Sequence, residues 1–337
     1  MSGAGGAVTN GLILAGDVGG TKTHLALFPA EGRGRIGAPV ADETYPSGDF
    51  PTLEAMVDHF RASHDGPVAA ASIGFAGAVS EGRGVGTHVA WVADEQVLAR
   101  HLRIPRAHVI NDLVAAGWGI PALTPRDLAT LLPGRPDPDG NAAIVSAGTG
   151  LGETSLVRYR GDLIPVASEG GHADFAPRTD LEIEVFRALR AEFGRVSVER
   201  VLSGLGLANV ARVLHRMEGA ETALREHERE AGAGGLPAAI SGNALARTCA
   251  ACAQTLDLFV GVYGAEAGNA ALRALALSGV YLGGGIAPQI LPALQKPIFM
   301  EAFLAKEPHQ ALLERVPVHV VVNDRSALLG AARYATL

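Results

Sequence analysis

The chain has 337 residues, a net charge of −7, 48% hydrophobic and 19% charged residues, and 43 glycines. That length exceeds what one hydrophobic core usually serves, so two domains are expected, and the acidic balance without any basic cluster excludes a protein that tracks nucleic-acid phosphates. No uninterrupted apolar run reaches the roughly 18 residues of a membrane span, and no Lys or Arg precedes a short apolar run at the N-terminus, so neither membrane nor export is read and the cytoplasm is expected.

In chain order, apolar runs predict strands over Leu12–Leu14 and His24–Phe28, a helix over Leu53–Arg61, and strands over Val68–Phe75 and Ala107–Ile110. This alternation is that of an α/β domain. A hinge is placed at Gly119–Leu123, before Thr124–Asn141, which ends in the turn-forming run RPDPDGN. A helix is expected from about Thr179, with Leu181, Phe186, Leu189 and Phe193 on one face. Met217–Pro237 is polar, carrying REHERE and then AGAGG, and reads as a solvated helix with a loose linker. The two cysteines, Cys249 and Cys252, share a helical stripe with Leu245, Leu256, Phe259, Val260 and Tyr263; with no second ligand pair in view they read as core residues, without a disulfide framework. Leu277–Leu282 is a strand running into Gly283, Gly284 and Gly285, with a helix expected near Pro288. Val318–Val322 is a strand, and the apolar helix Ser326–Tyr334 reads as packing back onto the first domain.

The opening segment Leu12–Phe28 has an echo in Ala143–Tyr159. A shift of 131 positions superposes Ile13 on Ile144, Gly19 on Gly150, Thr23 on Thr154 and Leu25 on Leu156. Both segments run strand, glycine turn, strand, and such turns leave backbone amides open to phosphate. Gly16–Thr23 (GDVGGTKT) lacks the second glycine of a P-loop. Asp17 there suits Mg²⁺ held through water; a plain hairpin turn with an acid is the alternative. In this alignment Gly148 stands where the first copy has its acid, so the second turn offers backbone alone. Lys22 reads as a phosphate contact or as an exposed hairpin lysine.

Asn111 and Asp112 stand between the strand AHVI and the helix LVAAGW. They read either as an N-cap or as a substrate-fixing amide and a carboxylate that accepts a hydroxyl proton during phosphoryl transfer. Ser168–Phe175 (SEGGHADF) gathers Glu169, His172 and Asp174 about a glycine turn. A metal site and a structural turn are both open, but an aimed carboxylate and imidazole binding sugar hydroxyls fit the residues better. Glu199, in SVERVLSG, is a further acceptor or a surface glutamate.

GDVGGT at 16–21, IND at 110–112, GTGLG at 148–152, EGGHADFAP at 169–177, ERVLSG at 199–204 and GGGI at 283–286 together resemble, in order, the bacterial ATP-dependent glucokinase family of the non-ROK type. The resemblance implies the two-domain, actin-like, ribonuclease H-like α/β fold with an interdomain active-site cleft. It implies a small domain of residues 1–122 plus 323–337 and a large one of residues 123–322. It also implies transfer of phosphate from MgATP to the 6-hydroxyl of glucose, with Asp112 as catalytic base and Asn111, Asp112, Glu169, His172 and Glu199 on the sugar. Gly16, Asp17, Val18, Gly19, Gly20 and Thr21 would meet phosphate, as would Gly148, Thr149, Gly150 and Gly152, and Gly283, Gly284 and Gly285 would lie near adenosine. A homodimer is implied too. Where the family commonly reads TNxxW, this chain has Thr87, His88, Val89, Ala90 and Trp91, which loosens strict glucose preference. Mannose, glucosamine or fructose are the alternative substrates, and a non-enzymatic nucleotide-dependent binding protein is the alternative class. ROK kinases need a cysteine-rich zinc motif that two cysteines do not build.

Overall fold

The computed structural model describes residues 11–86, 91–232 and 235–337. The chain divides into two compact units: one runs up to Thr124 and takes in Leu163–Ala167 and Asn323–Leu337, the other holds Pro125–Asp162 and Ser168–Val322.

In the first unit, β1 (Leu12–Val18) and β2 (Lys22–Gly32) form an antiparallel hairpin. The sheet is extended beyond β2 by β3 (Arg35–Ile36) and β4 (Ala41–Pro46). On the other side β5 (Val68–Phe75) lies parallel to β1, with Leu14 opposite Ala71 and Asp17 opposite Gly74. β6 (Gly77–Ser80), β7 (Arg83–Gly86) and β8 (Val92–Asp94) make a small antiparallel sheet. The family-pattern departure at residues 87–90 lies outside the described residues. β9 (Ala107–Asn111) pairs parallel with β5.

Helices cover both faces of the main sheet, which is why β1 and β5 read as unbroken apolar runs rather than alternating ones. On one face, Met56, Val57 and Phe60 of α1 (Leu53–Ser63) and Leu98 of α2 (Glu95–Leu102) pack on Leu14, Leu25 and Ile73. On the other, Ala115 of α3 (Asp112–Gly119) and Leu328, Ala331 and Ala335 of the last helix, Ser326–Ala335, pack on Ile13, Ala26 and Phe28. A Cβ on Gly330 would fall on the Ala115 carbonyl, so these two helices meet backbone to backbone.

In the second unit the sheet includes β10 (Leu128–Leu132), β11 (Ala142–Ala147) and β12 (Leu151–Tyr159). After the turn at Arg160 and Gly161 comes β13 (Asp162–Val166), which from Leu163 onward counts with the first unit, and much later the second unit adds β14 (Gly279–Gly283) and β15 (Val318–Val321). β11 and β12 form the second hairpin, β14 lies parallel to β11, and β15 parallel to β14. The helices are α4 (Asp180–Phe193), α5 (Gly204–Met217), α6 (Glu221–Glu230), α7 (Gly235–Ala246) and the long α8 (Ala250–Ala274). Four short ones follow: α9 (Ile286–Gln289), α10 (Leu291–Leu294), α11 (Pro297–Leu304) and α12 (Gln310–Leu313). Their apolar faces bury one continuous core that contains Val145, Leu207, Phe259, Tyr263 and Phe299.

Three sequence expectations need correction. The stripe through Leu245, Cys249 and Cys252 is not one helix, because Arg247 turns left-handed (φ 58°) and splits it into α7 and α8. Cys249 is the N-cap of α8 rather than an interior position, and it stands in disulfide contact with Cys252, where no disulfide is expected from the sequence. The 131-residue shift also misses the structural register. The first turn closes by Gly19 N–H on Lys22 O and the second by Gly148 N–H on Gly150 O, so Gly19 corresponds to Gly148, not Gly150. Ser146, paired with Gly152, therefore stands where Asp17 pairs with His24.

Candidate active site

The first unit presents two carboxylates at strand carboxyl ends, Asp17 on the inner strand β1 and Asp112 just past the edge strand β9, where open α/β sheets bind ligands. Asp17 is on β1 beside the tip of the first hairpin. That tip is fixed by a residue the motif scan passed over: buried Ser47 donates its hydroxyl to Gly19 O (2.7 Å), shares a hydrogen bond with Thr23 Oγ1 (2.9 Å), and gives its N–H to Thr21 O (2.9 Å). Thr21 and Lys22 are exposed, and Lys22 Nζ sits 4.0 Å from the Asp324 carboxylate. Burial pushes the Asp17 carboxyl up to about 7, with the charge of Asp112 raising it further. Asp112 is raised as well, by burial, against the opposing pull of the Leu113 N–H.

Asp112 opens α3. Asn111 caps that helix, its Oδ1 accepting from Leu113 N (3.0 Å) and Val114 N (3.3 Å) while its Nδ2 donates to Gly77 O (3.2 Å). Asp112 Oδ1 also takes the Leu113 N–H at 2.8 Å. The capping reading of Asn111 is thus what the side chain does here, and its amide also interacts with the Asp112 carboxylate. Gly74 lets α3 come close, since a Cβ there would meet Ala115 Cβ at 2.9 Å.

The second unit gathers Gly148, Thr149, Gly150 and Gly152, Gly283, Gly284 and Gly285, Glu169, His172 and Glu199. Gly284 is left-handed (φ 80°), and a side chain on it would strike the Ala147 backbone, so the GGG turn nests against the end of β11. Tyr263 of α8, absent from any motif, donates its hydroxyl toward Val145 O (3.0 Å) and Gly283 O (3.3 Å) and so ties the two glycine-bearing strand ends together. Glu199 Oε2 accepts the Leu151 N–H at 2.9 Å, and a Cβ on Gly150 would stand 2.6 Å from that oxygen. Gly204, the first residue of α5, donates its N–H to Gly148 O (2.8 Å), which sets a helix N-terminus beside the turn.

The EGGH turn is a short helical turn tied to the chain at 196–198 through Phe175 N–H to Val196 O (3.0 Å) and Val198 N–H to Ala173 O (2.9 Å). That pairing brings His172 Nδ1 to 3.8 Å from Glu199 Oε1, while Glu169 Oε2 lies 4.0 Å from His172 Nε2. Asp174 turns away to Arg195 (2.8 Å), so the metal reading of Glu169, His172 and Asp174 is not what the fold assembles. Beneath the turn, Arg273 Nη2 bridges the buried carboxylates of Glu153 (2.7 Å) and Glu266 (2.6 Å). Burial and the neighbouring Glu266 push Glu153 well above the usual carboxylate range.

A family model described as Glucokinase matches residues 14–337. The chain is 39% identical over 334 residues to a glucokinase from Nostoc punctiforme, spanning 95% of this chain and 98% of that one. It is 40% identical to a glucokinase from Synechocystis, covering 95% and 96% of the two chains. The crystal structure of a glucokinase from an Antarctic psychrotroph superposes with a TM-score of 0.84 at 30% identity, over 96% of this chain and 98% of that one. A Balamuthia mandrillaris glucokinase solved with glucose shares the fold, with a TM-score of 0.75 at 19% identity over 96% and 93% of the chains. Two α/β units, duplicated hairpins and a full-length match place this chain in the glucokinase family, non-ROK type.

Proposed function

We propose that the chain moves the terminal phosphoryl group of ATP to the 6-hydroxyl of glucose, giving glucose 6-phosphate and ADP. The observation that carries this reading is Asp112, a half-buried carboxylate whose affinity for a proton is raised above its ordinary value. It is held by the Asn111 cap at the first turn of α3. Such a group takes the hydroxyl proton as the new O–P bond forms and the bond from the γ-phosphorus to the ADP oxygen breaks. The base must be ionised to act, so turnover falls as pH drops through that raised value.

Glu199, His172 and Glu169 supply acceptors and an imidazole for the sugar hydroxyls, and Asn111 contributes its amide. The turns at 148–150 and 283–285 and the N-terminus of α5 supply backbone N–H groups for the nucleotide phosphates, charge stabilisation that needs no reorganisation. Asp17 fits a divalent cation: it is a half-buried carboxylate beside a second one, and their mutual repulsion is what a cation relieves. Mg²⁺ held there, through water, would neutralise charge on the phosphates.

The active form is a homodimer in the cytoplasm, which sedimentation of the purified protein and cell fractionation test. Among the described residues no helix is long and apolar enough to cross a membrane. The decisive assay is MgATP turnover with glucose, mannose, glucosamine and fructose, scored by kcat/KM. Glucose should lead. Preference for another hexose would move the substrate, and ATP consumption indifferent to every sugar would remove the kinase reading.

A further inference from the structure

We propose that His215, His227, Cys249 and Cys252 form a tetrahedral zinc site that staples three helices of the second unit. The four residues each offer one ligand atom, and these atoms lie within 4.8 Å of one another. They come from separate places: His215 from the last turn of α5, His227 from the last turn of α6, and the cysteines from the N-cap and first turn of α8. The expectation that the CxxC pair lacks a second ligand pair is therefore overturned by the fold.

The distances from the His215 nitrogen to the two sulfurs are those of a metal's ligand shell, while the sulfurs themselves stand in disulfide contact. With Zn–S of about 2.3 Å and Zn–N of about 2.0–2.1 Å, a tetrahedral site puts S and N roughly 3.6 Å apart. His215 Nε2 lies 3.7 Å from Cys249 Sγ and 3.8 Å from Cys252 Sγ. His215 is fully buried, and its Nδ1 meets the Ala211 carbonyl at 2.8 Å. A carbonyl accepts only, so Nδ1 carries the proton and the Nε2 lone pair faces the sulfurs, the orientation second-shell partners give metal-bound histidines. His227 Nε2 is buried with no hydrogen-bond partner. On the other side the Cys252 N–H donates to Cys249 Sγ at 3.1 Å. Two sulfurs and two imidazoles in a tetrahedron select zinc over Mg²⁺ or Ca²⁺.

A staple has work to do at this place. α6 carries REHERE, buries only Leu224 and has no side-chain N-cap, so little else holds it. His227 lies three residues after Leu224, on the same inward face. The cysteines are in disulfide contact in the structure, so an oxidised pair is the competing state. In the reduced chain, Zn²⁺ binding displaces two thiol protons and changes no oxidation state.

The full-length protein, purified in a thiol reductant without chelator, should hold one zinc per chain by elemental analysis. Added Co²⁺ should replace it with the thiolate-to-cobalt absorption and intense visible bands of a tetrahedral site. A strong chelator should lower the melting temperature of the wild type but not that of His227→Ala, whose half-exposed position spares the core. Cys252→Ser should lose both metal and cobalt bands. Metal-free protein with two titratable thiols and no cobalt bands overturns the proposal, and so does a disulfide that persists under the reductant. None of these readouts depends on the kinase reaction.

Discussion

The two hairpins, β1–β2 and β11–β12, share a frame and differ at the tip. In each, the first strand pairs antiparallel with the second and parallel with a later strand, β5 in the first case and β14, which runs into the GGG turn, in the second. At the first tip stands Asp17, with Asp112 near enough to raise its pKa. At the second stands Ser146, next to a tighter turn braced by Glu199 and the N-terminus of α5. A duplicated sheet thus gives two similar strand ends that carry different side chains, and the proposed function gives charge and proton chemistry to the first and backbone recognition of phosphate to the second.

The largest expected effect breaks the first tip. Asp112→Ala should lower kcat by roughly 10² or more while glucose binding changes far less, because a general base acts on the transition state. Next comes the second tip: the Cβ of Gly150→Ala would displace Glu199 from Leu151 N–H. A lost charge-assisted bond of about 1.5–3 kcal/mol corresponds to roughly 10- to 100-fold in kcat/KM. Gly148→Ala sharpens the contrast, since a Cβ there meets nothing within 4 Å. Its melting temperature should match the wild type while KM for ATP rises, as a side chain would stand where phosphate approaches.

Asp17 gives a pH signature. Its folded pKa of about 7 lies above the ordinary carboxylate value of 3.8, so the folded form holds its proton more tightly than the unfolded chain does. Metal-free stability from this group therefore falls as pH rises from the ordinary range to about 7, and Asp17→Asn should remove that slope. Mg²⁺ favours the ionised form, so the Mg²⁺ requirement of the wild type should ease as pH rises through about 7. The smallest effect is expected at Glu169, whose side chain is 87% exposed. Glu169→Gln should change kcat/KM by no more than about fivefold, the range of an exposed polar contact.

The ends of strands were legible because glycine and acid strings have few structural uses, and the alternation of apolar runs gave the α/β layering. Register was not. Glycines align almost anywhere in a glycine-rich chain, and a turn shortened at Gly148–Gly150 moves every later residue without leaving a mark in the composition. Asn111 shows a different limit, since one side chain caps α3 and is also the proposed sugar contact. The Glu153–Arg273–Glu266 network and the His215–His227–Cys249–Cys252 cluster were invisible for a third reason. The Cys249–Cys252 pair and the Glu266–Arg273 pair are local, but Glu153, His215 and His227 that complete the two groups lie far off along the chain, and only the packing of helices on the sheet brings them together.

The division of labour between the tips is tested most directly by the Mg²⁺ concentration for half-maximal turnover at fixed ATP, compared between Asp17→Ser and Ser146→Ala. These are structurally corresponding positions. Asp17→Ser should raise that concentration by about tenfold, the scale of one lost carboxylate contact, and Ser146→Ala should leave it unchanged. Equal shifts in both variants, or none in Asp17→Ser, would contradict the assignment.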